Sequence, residues 1–175
     1  GLQNTDLGLA NEMAINQFIA HHSVIFQPEK RLMWVSTSPW QCGKYVAYDL
    51  NKIFKDTIDW QHEIYSSDLT IPEDKFIDTP EFQHLLTYKK LTPLLLKKIR
   101  KKEQIEESVL KTYQASNPSL YYVYEVIGDY YEAMQQSKQA IAYWQQALKK
   151  SIPKLQEKER IQQKIQKQSK DGKES

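Results

Sequence analysis

The feature that most constrains this chain is a change of texture near residue 78. Before it, β-branched and aromatic residues cluster in short runs such as Ser23 to Phe26 and Met33 to Thr37, and three of the five glycines fall before residue 44. After it, Lys, Gln, Glu, Leu and Ala dominate, which are strong helix formers. Charge divides with the texture. Residues 1–88 hold six Lys/Arg against twelve Asp/Glu, and residues 89–175 hold eighteen against ten. One uniform architecture cannot satisfy both halves, so the expectation is an α+β chain with a β-bearing domain over 1–78 and an all-α region over 79–175. At 40% apolar and 26% charged residues it has the composition of a folded domain.

In the first half, Phe18 to Gln27 alternates, with Phe18, Ala20, His22, Val24 and Phe26 on one face and Ile19, His21, Ser23 and Ile25 on the other. Period two predicts a strand. Pro28-Glu29-Lys30 supplies a turn and Arg31 to Ser36 a second strand, giving a hairpin apolar on both faces, of the kind that sits inside a larger sheet. Ser36 to Gly43 reads as a loop, Lys44 to Leu50 as a short strand or the start of a helix through Phe54, and Asp56 to Asp78 as a polar connector with a local turn or helix start at Ile71 to Asp74.

In the second half, Thr79-Pro80 places a capping hydroxyl before a proline at the first helical position, and Thr92-Pro93 repeats the signal. The reading is therefore one helix from Pro80, a second from Pro93 through Tyr113 stopped by Asn117-Pro118, and three more over about 119–133, 137–150 and 153–168.

Tyr121 to Pro153 resembles one tetratricopeptide repeat. With Tyr121 at the first position, Tyr124, Ile127, Gly128, Tyr131, Ala140, Trp144 and Ala147 take the repeat's large and small places, and only the proline is displaced, to Pro153. The mechanics agree: Gly128 and Ala140 are small where two antiparallel helices approach, with Tyr131, Tyr143, Trp144 and Leu148 filling the space around them. Neither neighbouring register repeats the pattern, so the pair must lie against the helices before and after it, the last acting as a cap. The resemblance implies a protein-interaction face on the first helix of the pair. Its ligand-facing places hold Glu125 and Asp129, with Tyr122 before them and Glu132 beyond, acids that speak against recognition of a partner's carboxylate.

Asn11 to Phe54, about a quarter of the chain, resembles the C-terminal part of the autoproteolytic acyl-coenzyme A:6-aminopenicillanic acid acyltransferase-like family, of the N-terminal-nucleophile class. The carrying residues are Asn16 to Phe26 and Arg31 to Ser36, where His22 to Phe26 and Met33 to Val35 match strands late in that fold. The resemblance implies strands that complete an αββα sandwich. It also implies chemistry by a cysteine freed at a chain's first position, whose α-amino group, with a pKa of about 8, serves as base. Gly1 stands first here and the single thiol, Cys42, lies in a loop, so no catalytic residue is assigned and this chain alone is expected to be inactive.

The remaining candidates are weak. His21 and His22 are adjacent on a strand and point to opposite faces, so they cannot chelate one ion, and His62 and His84 have no partners at ligand spacing. A metal site and a cofactor are therefore not expected. Lys97, Lys98, Arg100, Lys101 and Lys102 are followed directly by Glu103, Glu106 and Glu107 without interleaved aromatics, which reads as a solvated helix face rather than a nucleic-acid site. Of the tyrosines, Tyr122 and Tyr130 are left as the exposed ones once repeat packing is satisfied. No run approaches the roughly 18 apolar residues of a membrane span, and the first ten residues carry no basic start or apolar block of a signal peptide. The expected partners are the remainder of a parent enzyme, another protein, or a second copy of the chain. A non-catalytic tetratricopeptide-like interaction module is the alternative function.

Overall fold

The computed structural model describes residues 4–14, 22–55 and 64–171. The chain divides into two compact units, Phe18–Phe82 and Gly1–Gln17 with Gln83–Ser175. The first holds a four-stranded antiparallel sheet and the second is helical, an α+β protein.

The sheet is a meander of β1 (Val24–Gln27), β2 (Leu32–Ser36), β3 (Tyr45–Asp49) and β4 (Ser66–Ile71), each paired with the next. The hairpin predicted from period two is β1 and β2, closed by a 3₁₀ turn at Pro28–Lys30 with Arg31 in the left-handed conformation, φ 53°. Residues 18–21 of the predicted strand, His21 among them, lie outside the described residues. Lys44 to Leu50 is both things at once, since β3 runs straight into the short α2 (Leu50–Ile53), capped by Asp49 accepting from the Asn51 N–H at 2.9 Å. The polar connector read over Asp56 to Asp78 is corrected by β4. Its Ser66, Asp68 and Leu69 carry no clean alternation, and a register shift against β3 between Tyr45 and Ala47 marks the irregular pairing. The strand is held partly from the side, by the Trp34 indole donating to the Leu69 carbonyl at 2.8 Å.

Strand pairing and alternation place Val24, Phe26, Met33, Val35, Val46 and Tyr48 on one face of the sheet. None of the six is buried, and Val24 and Phe26 are 44% and 63% exposed. On the other face Ala47 is fully buried. A smaller cluster forms where Phe82 meets Trp40 and Phe76 edge-on at 6.2 and 5.8 Å.

The helical unit contains α3 (Pro80–Arg100), α4 (Glu107–Ser116), α5 (Tyr121–Ala133), α6 (Ser137–Leu148) and α7 (Leu155–Asp171). The hydroxyl of Thr79 caps α3 by accepting from the Phe82 N–H. The helix start read at Pro93 is overturned: α3 passes through Pro93 and ends at Arg100. Proline cannot donate to the carbonyl one turn back. The helix survives because Leu91, Leu95, Leu96 and Ile99 are packed into the core; next to the proline the Thr92 hydroxyl donates to the Tyr88 carbonyl at 2.7 Å and meets Tyr113 Oη at 3.1 Å. The break comes instead at Lys102, φ 55°, where Glu103 N–H bonds the Lys98 carbonyl and Lys102 N–H the Ile99 carbonyl. This is a Schellman turn without glycine, and Gln135, φ 59°, makes the same turn after α5.

Trp144, Tyr113, Leu95, Ile127, Val123 and Ile161 form the centre of the helical core. Helices α5 and α6 approach most closely at Gly128, where a Cβ would lie 2.4 Å from Trp144 Cδ1, and Ala140 and Ala147 are fully buried. Residues 4–14 also belong to this unit. Asn11, almost fully buried, donates to the Leu7 and Ser151 carbonyls, and Asn117 donates to the Leu9 carbonyl at 2.6 Å. Gly8, φ 86°, packs where any side chain would strike the Leu120 backbone.

Candidate functional site

The sheet unit holds the single thiol. Cys42 lies in the 36–43 loop, whose turn is closed by its own N–H on the Pro39 carbonyl, while its carbonyl accepts from the Asp74 N–H at 2.8 Å. Cys42 is buried, and burial, reinforced by the Asp74 charge, pushes its thiol above the ordinary value. A nucleophilic cysteine requires the opposite shift, toward thiolate. The side-chain nitrogen of the neighbouring Gln41 is buried and meets no acceptor among the described residues. His22 is exposed, His62 lies outside the described residues, and no group of acids, histidines and cysteine among the described residues could hold a metal ion.

The helical unit carries the interaction candidates. Glu125, Asp129 and Glu132 recur at i, i+4 and i+7 on α5, which aligns them on one face. That face is occupied by α7, which presents Arg160, Lys164 and Gln168 at matching four-residue intervals. Arg160 forks onto Glu125, with Nε on Oε1 at 3.0 Å and an Nη on Oε2 at 2.8 Å. Lys164 donates to Glu125 Oε1 at 2.9 Å and to both Asp129 oxygens at 2.7 and 2.8 Å, and Gln168 donates to Glu132. The Trp144 indole donates to Asp129 at 2.9 Å, and Tyr121 Oη donates to Glu157 at 2.7 Å.

These bonds take Glu125 out of solvent; its side chain is 2% exposed, against 24% for Lys164 and 47% for Arg160. As an exposed interaction residue Glu125 is corrected: a carboxylate this deep is tolerable only with its charge paired, and here three cationic N–H groups supply the pairing. Burial raises the Asp129 carboxyl above its ordinary value, opposed by Lys164 and the Trp144 indole. For Lys164, burial acts to lower the amine, but the bonds to Asp129 and Glu125 outweigh it and the net direction is up. Tyr122 is half-buried, its ring edge-on to Tyr121 at 6.2 Å. Tyr130, expected at the surface, is buried, its hydroxyl in contact with the N–H and carbonyl of Ile105.

Sequence reasoning found the acidic face and missed its partners on α7. A signal was present: Arg160 and Lys164 follow Glu125 and Asp129 by 35 residues, and Gln168 follows Glu132 by 36, close to one repeat length. Comparison with known proteins finds no matching family model, no matching curated protein and no matching solved structure. No helix of the described residues is long and apolar enough to cross a membrane.

Proposed function

We propose that this chain is the C-terminal region of an acyltransferase or amide hydrolase of the N-terminal-nucleophile class, in which the sheet unit adds a layer to the catalytic sandwich while the nucleophile comes from outside these residues. The observation that carries the reading is the apolar face of Val24, Phe26, Met33, Val35, Val46 and Tyr48, of which Val24 and Phe26 are exposed and the other four only partly buried among the described residues. An apolar sheet face that stays incompletely buried supports a surface that another layer covers. The pairing of Val24 to Phe26 with Met33 to Val35 in adjacent strands agrees with the two segments that carry the family resemblance. The raised Cys42 thiol supports a structural role for it.

The test expresses the chain together with any coding sequence that precedes it in its gene. The longer protein should cleave itself and turn over amide or thioester substrates in a thiol-dependent way, with Cys42→Ala leaving the rate within about twofold, since a group away from the reacting atoms stabilises no transition state. The chain by itself should be inert and should self-associate through the apolar sheet face that carries Val24 and Phe26. Turnover by the isolated chain that disappears in Cys42→Ala would overturn the reading and make Cys42 the catalyst.

A second reading, a tetratricopeptide-like interaction module without chemistry, is favoured by the Gly128–Trp144 approach and the buried Ala140 and Ala147, the small places that the repeat demands. It predicts an extended protein with neither self-cleavage nor turnover. Its ligand face is already filled by α7, which weighs against it.

A further inference from the structure

The helical unit carries a cleft that neither functional reading uses. It lies between the C-terminal half of α3 and the start of α4 and encloses about 460 Å³, within the roughly 300–1,000 Å³ of small-molecule sites. The floor is aliphatic: Leu95 and Ile105 are buried, Leu91 and Val109 half-buried, and Leu94 stands at the mouth, 49% exposed. Lys97, Lys98 and Lys101 line the same cleft, with Glu103 and Glu106 as the only acids among the described residues that line it. Lys101 is drawn to Glu103 at 3.7 Å and Lys98 reaches the Gln104 carbonyl at 3.4 Å, long contacts between exposed groups that a better acceptor displaces easily. The glycine-free turn at Lys102 leaves residues 103–106 outside any helix beside this floor.

We propose that this cleft binds a long-chain carboxylate, its aliphatic chain on the leucine, isoleucine and valine floor and its head group between Lys97 and Lys98. The occupant's chemistry follows from the two parts of the wall. An aliphatic floor rewards the burial of methylenes and offers no partner to a peptide's backbone donors and acceptors. The surplus of amines over carboxylates at the rim favours a single negative charge on the exposed end. The proposal stands independently of the acyltransferase reading.

The experiment titrates the whole chain with dodecanoate below its micelle concentration, reading heat and backbone amide shifts together. The expected result is saturable one-to-one binding with shifts concentrated at residues 91–109. Lys97→Glu/Lys98→Glu and, separately, Leu94→Asp should each weaken it about tenfold or more, the loss of a charge-assisted bond or of several buried methylenes, with thermal unfolding unchanged. Dodecanol should bind more weakly than dodecanoate. Shifts confined to the sheet residues, equal affinity for dodecanol, insensitivity to both variants, or retention only on phosphatidylglycerol vesicles would each overturn the proposal.

Discussion

Gly128→Ala is the sharpest probe of the helical unit, because two effects of similar size oppose each other there. By intrinsic propensity the change should stabilise α5 by about 1 kcal/mol, since glycine in a helix interior is inferior to alanine by that amount. The tertiary structure reverses the sign. A Cβ at this position would lie 2.4 and 2.5 Å from Cδ1 and Nε1 of Trp144, distances that require the ring to move. The ring is fully buried and its Nε1 donates to Asp129, so it cannot swing into solvent. Overpacking at a rigid site costs about 2 kcal/mol, and loosening the bond to a charged acceptor adds about 1. Against the propensity gain, the net expected loss is about 2 kcal/mol. Urea unfolding followed by helical circular dichroism should show a lower midpoint at unchanged slope. In a Trp144→Leu background the obstacle is gone, and the same Gly128→Ala should raise stability by about 1 kcal/mol, a coupling of about 3 kcal/mol between the two sites. A raised midpoint in the parent chain, or additive effects in the pair, would refute the packing argument.

Lys164→Met should lower stability by about 2–3 kcal/mol, because Glu125 and Asp129 lose a shared cation at a largely buried site, whereas Lys167→Met on the exposed side should stay within about 0.5 kcal/mol; urea titration of both separates the ion network from general loss of charge. Lys102→Gly and Gln135→Gly should each raise the melting temperature, corresponding to about 1 kcal/mol, since both positions hold left-handed backbone that glycine adopts without a Cβ penalty; a lower melting temperature contradicts the assigned turns. Thermal stability should begin to fall above about pH 9, the ordinary value of the buried Cys42 thiol that the fold keeps protonated, and fall more steeply above about pH 10. Tyr88 is raised from 10.0 to about 12 by burial, Tyr113 and Tyr121 are pushed higher still for the same reason, and Lys164 moves up from 10.5. A folded-state value above the unfolded one contributes stability that is lost as pH rises through it. A melting temperature that climbs between pH 10 and 12 would refute the burial of these phenols.

What the sequence by itself determined is what local physics controls. Alternation over Val24 to Phe26 specifies a strand, Pro28 the turn after it, and Thr79-Pro80 and Asn117-Pro118 the two helix boundaries where a capping hydroxyl or a missing N–H acts within one turn. The small residues Gly128 and Ala140 announced a helix contact because only they leave room for one. Elsewhere the decision was tertiary. Pro93 stays inside α3 because the packing of Leu91, Leu95 and Leu96 into the core outweighs one missing hydrogen bond, while α3 and α5 are stopped by left-handed turns at Lys102 and Gln135, residues with no preference for that conformation. β4 forms without a legible pattern because pairing with β3 and the Trp34 indole hold it in place. The acidic face of α5 was legible as a row of charges, but its fate depended on α7 some 35 residues away: once Arg160 and Lys164 satisfy Glu125, burial that would have been prohibitive for a lone carboxylate becomes tolerable. Spacing along one helix says which side chains share a face, and only the packing of a second helix says whether that face meets water or protein.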